Sequence, residues 1–136
     1  MKALFADTAY YAAITNPGDT AHKAAEKISR RYTGKIVTTE YVLIELANFL
    51  ARCRDRFVFL KLLGRLRADS QTTIVASNTK LFALGLGLYA ERQDKDWPFT
   101  DCISFVVMQQ HGLTDALTTD RHFEQAGFKA LLAKET

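Results

Sequence analysis

The stretch W-P-F-T-D-C-I-S-F-V-V-M-Q-Q-H-G-L-T-D-A-L-T-T-D-R-H-F, residues 97–123, decides the fold. Its middle, Ile103 to Met108, is almost wholly apolar, which predicts a helix buried nearly all round. Thr100 stands where an N-cap is wanted, and Asp101 follows at once. Gly112 reads as the stop of that helix, Ala116 to Thr119 as a short strand, and Asp120 lies just past it. A carboxylate at the mouth of a buried helix and another beyond a buried strand are costly to desolvate, which points to a use for both.

Outward from that stretch, short apolar runs alternate with helical patterns. Lys2–Ala6 reads as a first strand ending on Asp7, with a helix over Thr8–Ile14 that N-P-G-D at 16–19 breaks. Thr20–Arg31 carries Ala21, Ala24, Ala25 and Ile28 at helical spacing, with Asp19 as its N-cap. Lys35–Thr38 reads as a second strand. Thr39 then caps a helix running to about Cys53, with Val42, Leu46, Phe49 and Leu50 on one face and Glu45 inside the apolar pattern, half-buried.

A helix over Asp55–Arg67, a strand over Thr72–Ala76 and a helix over Thr79–Arg92 follow. Gly85 and Gly87 in the last of these suggest close packing or a kink. After the buried helix and the Ala116–Thr119 strand come a short helix over Arg121–Ala126, a stop at Gly127 and a strand over Lys129–Leu132. This alternation predicts one α/β domain, residues 1–136, with a mainly parallel central sheet flanked by helices.

Composition agrees with a folded domain: 136 residues, 48% hydrophobic and 24% charged, with two prolines. No run of 18 or more apolar residues exists, which argues against a membrane span. Cys53 and Cys102 lie in apolar patterns without metal-ligand spacing and read as reduced core thiols of a cytoplasmic protein. The net charge of +3 hides an asymmetry. Arg52, Arg54, Arg56, Lys61, Arg65 and Arg67 face a single acid, Asp55, so residues 52–67 carry +5 and the rest of the chain −2. Arg54, Lys61 and Arg65, seven and four residues apart, share one helical stripe that can grip a phosphate backbone or simply face solvent.

In a parallel sheet, ligands sit outside the carboxyl ends of the strands. Asp7 and Asp120 fall there, Asp101 opens a helix at the same rim, and Glu45 must lean back towards it. Each has a plainer reading: Asp7 and Asp120 as N-caps, Asp101 as a charge favoured by the first turn of a helix. Four acids on one rim, however, need a counter-charge to stay ionised together. The hydroxyls of Thr8, Thr100, Ser104 and Thr118 are nearby, and His22, His111 and His122 read as surface or helix-end residues. Oxygen-only sites suit Mg²⁺ or Mn²⁺ rather than zinc, and hard ions held by carboxylates are the usual setting of phosphodiester chemistry.

The wording of D-T-A at 7–9, T-T-E-Y-V-L-I-E-L-A-N at 38–48, F-T-D-C-I-S-F-V-V-M at 99–108 and A-L-T-T-D-R-H-F-E-Q-A-G-F at 116–128 resembles a PIN domain. Within that family it is most similar to the VapC-like toxin nucleases of type II toxin–antitoxin pairs, over essentially the whole chain. The resemblance implies a Mg²⁺- or Mn²⁺-dependent endoribonuclease. Carried over position by position, it makes Asp7, Glu45, Asp101 and Asp120 the metal-binding and catalytic acids, with Thr118 their hydroxyl partner. It further implies an RNA substrate and a cognate antitoxin. Phe57, Phe59, Leu60, Leu62, Leu63 and Leu66 are more apolar residues than one helix face needs, to be covered by another subunit or by an antitoxin peptide. A homodimer is expected, with an antitoxin segment laid over residues 52–66 that presents an Arg or Lys to the acids. W-P-F-T-D departs from the family's usual serine–leucine pair before T-D.

Rivals fail on single residues. A haloacid-dehalogenase phosphatase wants an acid where Ala9 stands, a receiver domain wants an acidic pair near its first strand, and no G-x-x-x-x-G-K phosphate loop exists. A stand-alone RNA-processing PIN nuclease and an inactive PIN-fold binding module are the alternatives within the fold. Trp97, beside Asp101, reads as a loop anchor or as a base-stacking platform.

Overall fold

The computed structural model describes residues 1–134 and closes five strands into one sheet, every pairing parallel. In chain order the elements are β1 (Leu4–Ala6), α1 (Thr8–Thr15), α2 (His22–Arg31), β2 (Ile36–Thr39), α3 (Glu40–Phe49), α4 (Arg56–Ala68), β3 (Thr72–Val75), α5 (Thr79–Glu91), α6 (Phe99–Gln110), β4 (Asp115–Leu117), α7 (Arg121–Gln125) and β5 (Lys129–Ala130). The strand order is β3-β2-β1-β4-β5. From β1 the chain works outward in one direction through β2 and β3, then returns to the other side of β1 for β4 and β5. The strand order therefore reverses between β1 and β4, and their carboxyl ends open a crevice there.

The register carries two side chains into that crevice. Phe5 pairs with Ala116 and Ala6 with Leu117, so the next step sets Asp7 beside Thr118. The backbone N–H of Asp7 donates to the Leu117 carbonyl at 3.2 Å, prolonging the ladder by one residue. Beneath the crevice the core is aromatic. Phe105 of α6 meets Phe123 of α7 edge-on at 4.9 Å, Phe123 lies 6.2 Å from Phe5 of β1, and all three are essentially solvent-free. Their burial, at about 25 cal/mol per Å² of apolar surface, clamps both helices to the sheet.

Several element boundaries differ from the sequence reading. α6 starts at Phe99 behind Pro98, whose φ of −59° launches the helix, so Thr100 is not its N-cap but lies in its first turn. α2 starts at His22, not Thr20, yet Asp19 organises the approach: its carboxylate accepts from the Ala21 N–H at 2.8 Å and its carbonyl from His22 at 3.0 Å. Thr39 does cap α3, its hydroxyl accepting from the Val42 N–H at 3.0 Å. That helix stops at Phe49, short of Cys53. Leu50 is its last buried residue, and Cys53, among exposed arginines, is itself exposed; of the two thiols only Cys102 is buried. Gly112 (φ +66°) and Gly127 (φ +94°) end α6 and α7 in the left-handed conformation that glycine adopts without strain. Among the described residues no helix is long and apolar enough to cross a membrane.

The two α5 glycines separate cleanly. A Cβ on Gly85 would lie 2.4 Å from Cγ1 and 3.3 Å from Cα of Ile103, so α5 approaches α6 at a point where only hydrogen fits. At Gly87 the same atom would meet nothing within 4 Å. Gly85→Ala is therefore expected to destabilise by about 1–2 kcal/mol despite its better helix propensity, whereas Gly87→Ala gains up to about 1 kcal/mol. Urea melts of the pair should show shifts of opposite sign.

Candidate active site

Asp7 leaves the end of β1 and is 4% exposed. Its carboxylate accepts a 2.7 Å hydrogen bond from the Thr118 hydroxyl, and that hydroxyl in turn accepts the Asp120 N–H at 3.0 Å. Thr118 thus joins the two strand ends across the crevice. Asp7 does occupy the N-cap position of α1, but its side chain forms no capping bond there, so capping alone does not account for this acid. Asp120 does cap α7, accepting the His122 N–H at 2.9 Å, and still turns the same oxygen into the crevice.

Asp101 enters from the first turn of α6, is 5% exposed, and lies near the positive end of the helix dipole. Its Oδ2 lies 3.3 Å from Nδ1 of His122, and that nitrogen is 3.1 Å from Oδ1 of Asp120. One ligand atom each from Asp101, Asp120 and His122 falls within a 4.8 Å span. His122 is the residue the sequence reading missed. Its signal was positional: two residues beyond a capping acid at a strand end, beside a core phenylalanine.

Glu45 differs from expectation in burial. It is exposed, as is Ile44, while the buried stripe of α3 runs through Val42, Leu43 and Leu46. Its charge still bears on both Asp7 and Asp101, so it overlooks the crevice from the solvent side. Of the four hydroxyls considered, only Thr118 bonds an acid; Thr8 points to the Val42 carbonyl and the Ser104 hydroxyl is buried without a partner among the described residues. Trp97 is an anchor and not a platform for bases. It is 5% exposed, donates its indole N–H to Gln125 at 3.0 Å and stands edge-on to Phe105.

No Lys or Arg among the described residues forms an ion pair with Asp7, Glu45, Asp101 or Asp120. The two buried acids, Asp7 and Asp101, consequently resist ionisation. Burial pushes Asp7 up from 3.8 to about 6, against the pull of the Thr118 hydroxyl and the Thr8 N–H, with the Glu45 and Asp120 charges adding to the rise. Burial also raises Asp101 far above the usual carboxylate range, followed by the charges of Asp7, Asp120 and Glu45. Carboxylates crowded this way, with an imidazole and without a fixed cation, fit a divalent ion as the missing counter-charge.

A stability prediction follows from the sign of these shifts. A carboxyl whose pKa is raised by folding binds more protons folded than unfolded between the two values, so stability falls as pH rises through that window. In EDTA the protein is expected to be less stable at pH 8 than at pH 5, by about 1 kcal/mol from Asp7 alone, with Asp101 adding in the same direction. Asp69, held low by the Gln71 N–H and the Thr72 hydroxyl, acts in the opposite sense only below about pH 4. Guanidinium melts in EDTA across pH 5–8 check this; a flat or rising profile contradicts the crowded site.

Comparison with known proteins places this geometry. Residues 4–129 match the PIN domain family. The chain is 28% identical over 126 residues to the 23S rRNA-specific endonuclease VapC20 of Mycobacterium tuberculosis (strains CDC 1551 / Oshkosh and ATCC 25618 / H37Rv), covering 92% of this chain and 95% of the relative. The crystal structure of Mycobacterium tuberculosis VapC20, described as a sarcin-ricin loop cleaving toxin, superposes with a TM-score of 0.83 at 24% identity, covering 92% of this chain and 95% of that one. VapBC2 from Rickettsia felis, bound to a DNA fragment from its promoter, gives 0.65 at 13% identity, covering 94% and 96%. FitAcB from Neisseria gonorrhoeae gives 0.64 at 16% identity, covering 93% and 94%. The last three comparisons speak for the fold, and the family match spans nearly the whole chain: this protein belongs to the PIN domain family.

Proposed function

We propose that this protein is a metal-dependent endoribonuclease and the toxin of a type II toxin–antitoxin pair. The observation that carries the reading is the convergence of Asp7, Asp101 and Asp120 at the sheet's reversal point, overlooked by Glu45, without a Lys or Arg to neutralise them. The similarity to an rRNA endonuclease named as a toxin supports the substrate class, and the VapBC and FitAcB folds support a toxin–antitoxin setting.

Mg²⁺ or Mn²⁺, when bound, lowers the pKa of water and stabilises negative charge on a phosphate. The chain's own residues do the positioning. Asp7 and Asp101, both buried, are the principal ligands, and Asp120 and Glu45 complete the set directly or through water. Thr118 keeps Asp7 and the Asp120 backbone in register, so a change there should misplace two acids together. Glu45, on the open side, is placed to orient an attacking water. Attack on phosphorus in line with the 3′-oxygen expels that oxygen and leaves 5′-phosphate and 3′-hydroxyl ends, with no part for the RNA 2′-hydroxyl as nucleophile.

RNA and protein partners have separate surfaces available. Arg52, Arg54, Arg56, Lys61, Arg65 and Arg67 are all exposed, which suits contact with a phosphate backbone. Ile44, Phe49, Phe57 and Leu60 are exposed on and around α3 and α4, beside a cavity of about 470 Å³ lined by Leu43, Ile44, Ala47, Phe59 and Leu63. That apolar surface supports an antitoxin segment over residues 52–66, offering an Arg or Lys to the acids. Phe82, Leu84, Leu86 and Tyr89 of α5 are likewise exposed and support a homodimer, which light scattering tests.

The function is tested by incubating purified protein with ribosomal and transfer RNA in Mg²⁺ or Mn²⁺, followed by end-group mapping. Internal cuts with 5′-phosphate ends that cease in EDTA are expected. Cyclic 2′,3′-phosphate ends, or cleavage that survives EDTA, would overturn the mechanism; intact RNA under every condition would leave a binding module. A stand-alone processing nuclease would cleave RNA but have no neighbouring gene product that neutralises it.

A further inference from the structure

We propose that Nδ1 of His122 completes the divalent-cation site with the carboxylates of Asp101 and Asp120, and that this nitrogen donor makes the site prefer Mn²⁺ to Mg²⁺. The proposal rests on the metal-dependent reading above and corrects its oxygen-only donor set. Three features of the structure support it.

The first is aim. Nδ1 sits 3.3 Å from Asp101 and 3.1 Å from Asp120, between carboxylates that come from different elements, while Nε2 has no partner among the described residues. The ring therefore turns Nδ1, and not Nε2, towards the acids. In the neutral tautomer protonated at Nε2, Nδ1 would offer its lone pair to an ion held between the carboxylates.

The second is that the aim is built in. Asp120 caps α7 through the His122 backbone N–H, and Phe123 next along the chain is locked between Phe5 and Phe105. The backbone of residue 122 is thus held from both sides, and only its side chain is free to be chosen by the site. The third is need. Asp101 is buried and surrounded by the charges of Asp7, Asp120 and Glu45, and His122 is the single basic side chain that reaches it among the described residues.

The donor chemistry then ranks the ions. Mg²⁺ demands near-octahedral oxygen coordination and gives up its waters reluctantly. Imidazole suits first-row transition ions. Mn²⁺ binds nitrogen least tightly of that series and shares the carboxylate preference of Mg²⁺, but as a transition ion it gains more from a nitrogen donor than Mg²⁺ does. A site of this kind keeps its affinity for Mn²⁺ and gains little for Mg²⁺ from the ring. The competing role for His122 is a cation that balances the acids while no ion is bound. In that role the ring would be displaced on binding, and its removal would strengthen both ions alike.

The experiment needs no RNA. Wild-type protein and the variants His122→Ala and His122→Asn are titrated calorimetrically with Mn²⁺ and with Mg²⁺, and the Mn²⁺ complexes are examined by pulsed EPR for nitrogen coupling. Thermal melts confirm that the variants fold, as expected because the capping bond uses the backbone. The wild type should show ¹⁴N coupling from one imidazole, absent in both variants, and the ratio of Mn²⁺ to Mg²⁺ affinity should fall on the order of tenfold or more in His122→Ala. A wild-type Mn²⁺ complex without nitrogen coupling, with an unchanged affinity ratio in the variants, overturns the role of His122 and leaves the metal site standing. A wild type that binds neither ion overturns both.

Discussion

Asp101→Asn is expected to cut RNA cleavage by on the order of 10³-fold or more, several kcal/mol of transition-state stabilisation. This carboxylate is buried at the start of α6, where the helix dipole favours its charge, and it faces Asp7, Asp120, Glu45 and His122. An amide retains the shape and removes the charge that would hold a cation and oppose the charge developing on phosphate. The fold should not suffer. Removing one of several crowded acids lowers their mutual repulsion, so the variant's melting temperature in EDTA should equal or exceed that of the wild type at pH 8. Loss of activity with undiminished stability separates this outcome from simple unfolding. Cleavage within tenfold of wild type would remove Asp101 from the chemistry.

The second large effect is expected at Asp7→Asn, which should abolish divalent binding measured by calorimetry. The amide oxygen still accepts the Thr118 hydroxyl at the position the carboxylate holds now, so the link between the ends of β1 and β4 survives. What disappears is the charge. Asp7 is 4% exposed and its ionisation is opposed mainly by burial, so its charged form depends on a cation to a degree that an exposed acid would not. The pH dependence of stability in EDTA should flatten in the same variant, because the group with the raised pKa is gone. Undiminished binding would move the ion elsewhere in the crevice, towards Asp101, Asp120 and His122.

The one-dimensional pattern carried much of this. The apolar run from Ile103 to Met108 announced a buried helix, and Ile103, Phe105, Val107 and Met108 are all buried. Alternating short strands and helices announced a parallel sheet, and Thr39 and Gly112 marked their helix ends correctly. These features were legible because burial and capping act within a few residues of the chain. Boundaries governed by other forces were missed. α6 begins at Phe99, one residue ahead of Thr100, with Pro98 in the cap position. The helix carrying Glu45 stops at Phe49; beyond Leu50, residues 51–54 are all exposed, Ala51 and Cys53 included, and Arg52 and Arg54 keep the segment in water.

The acids divide along the same line. Which residues are acidic, and that Asp7 and Asp120 lie just past strands, are properties of the sequence by itself, and so is the PIN-like wording around them. That Thr118 bonds Asp7, that Asp101 reaches His122, and that Glu45 stands in solvent were decided only by tertiary structure. The reason is that strand order and register are set by how the whole set of apolar faces packs. The insertion of β1 between β2 and β4 brings residues 7 and 118 within 2.7 Å although 111 positions separate them. His122 shows the limit most sharply, since a histidine two residues past a cap looks like surface until α7, pinned by Phe123 against Phe5 and Phe105, turns its ring towards an acid on α6.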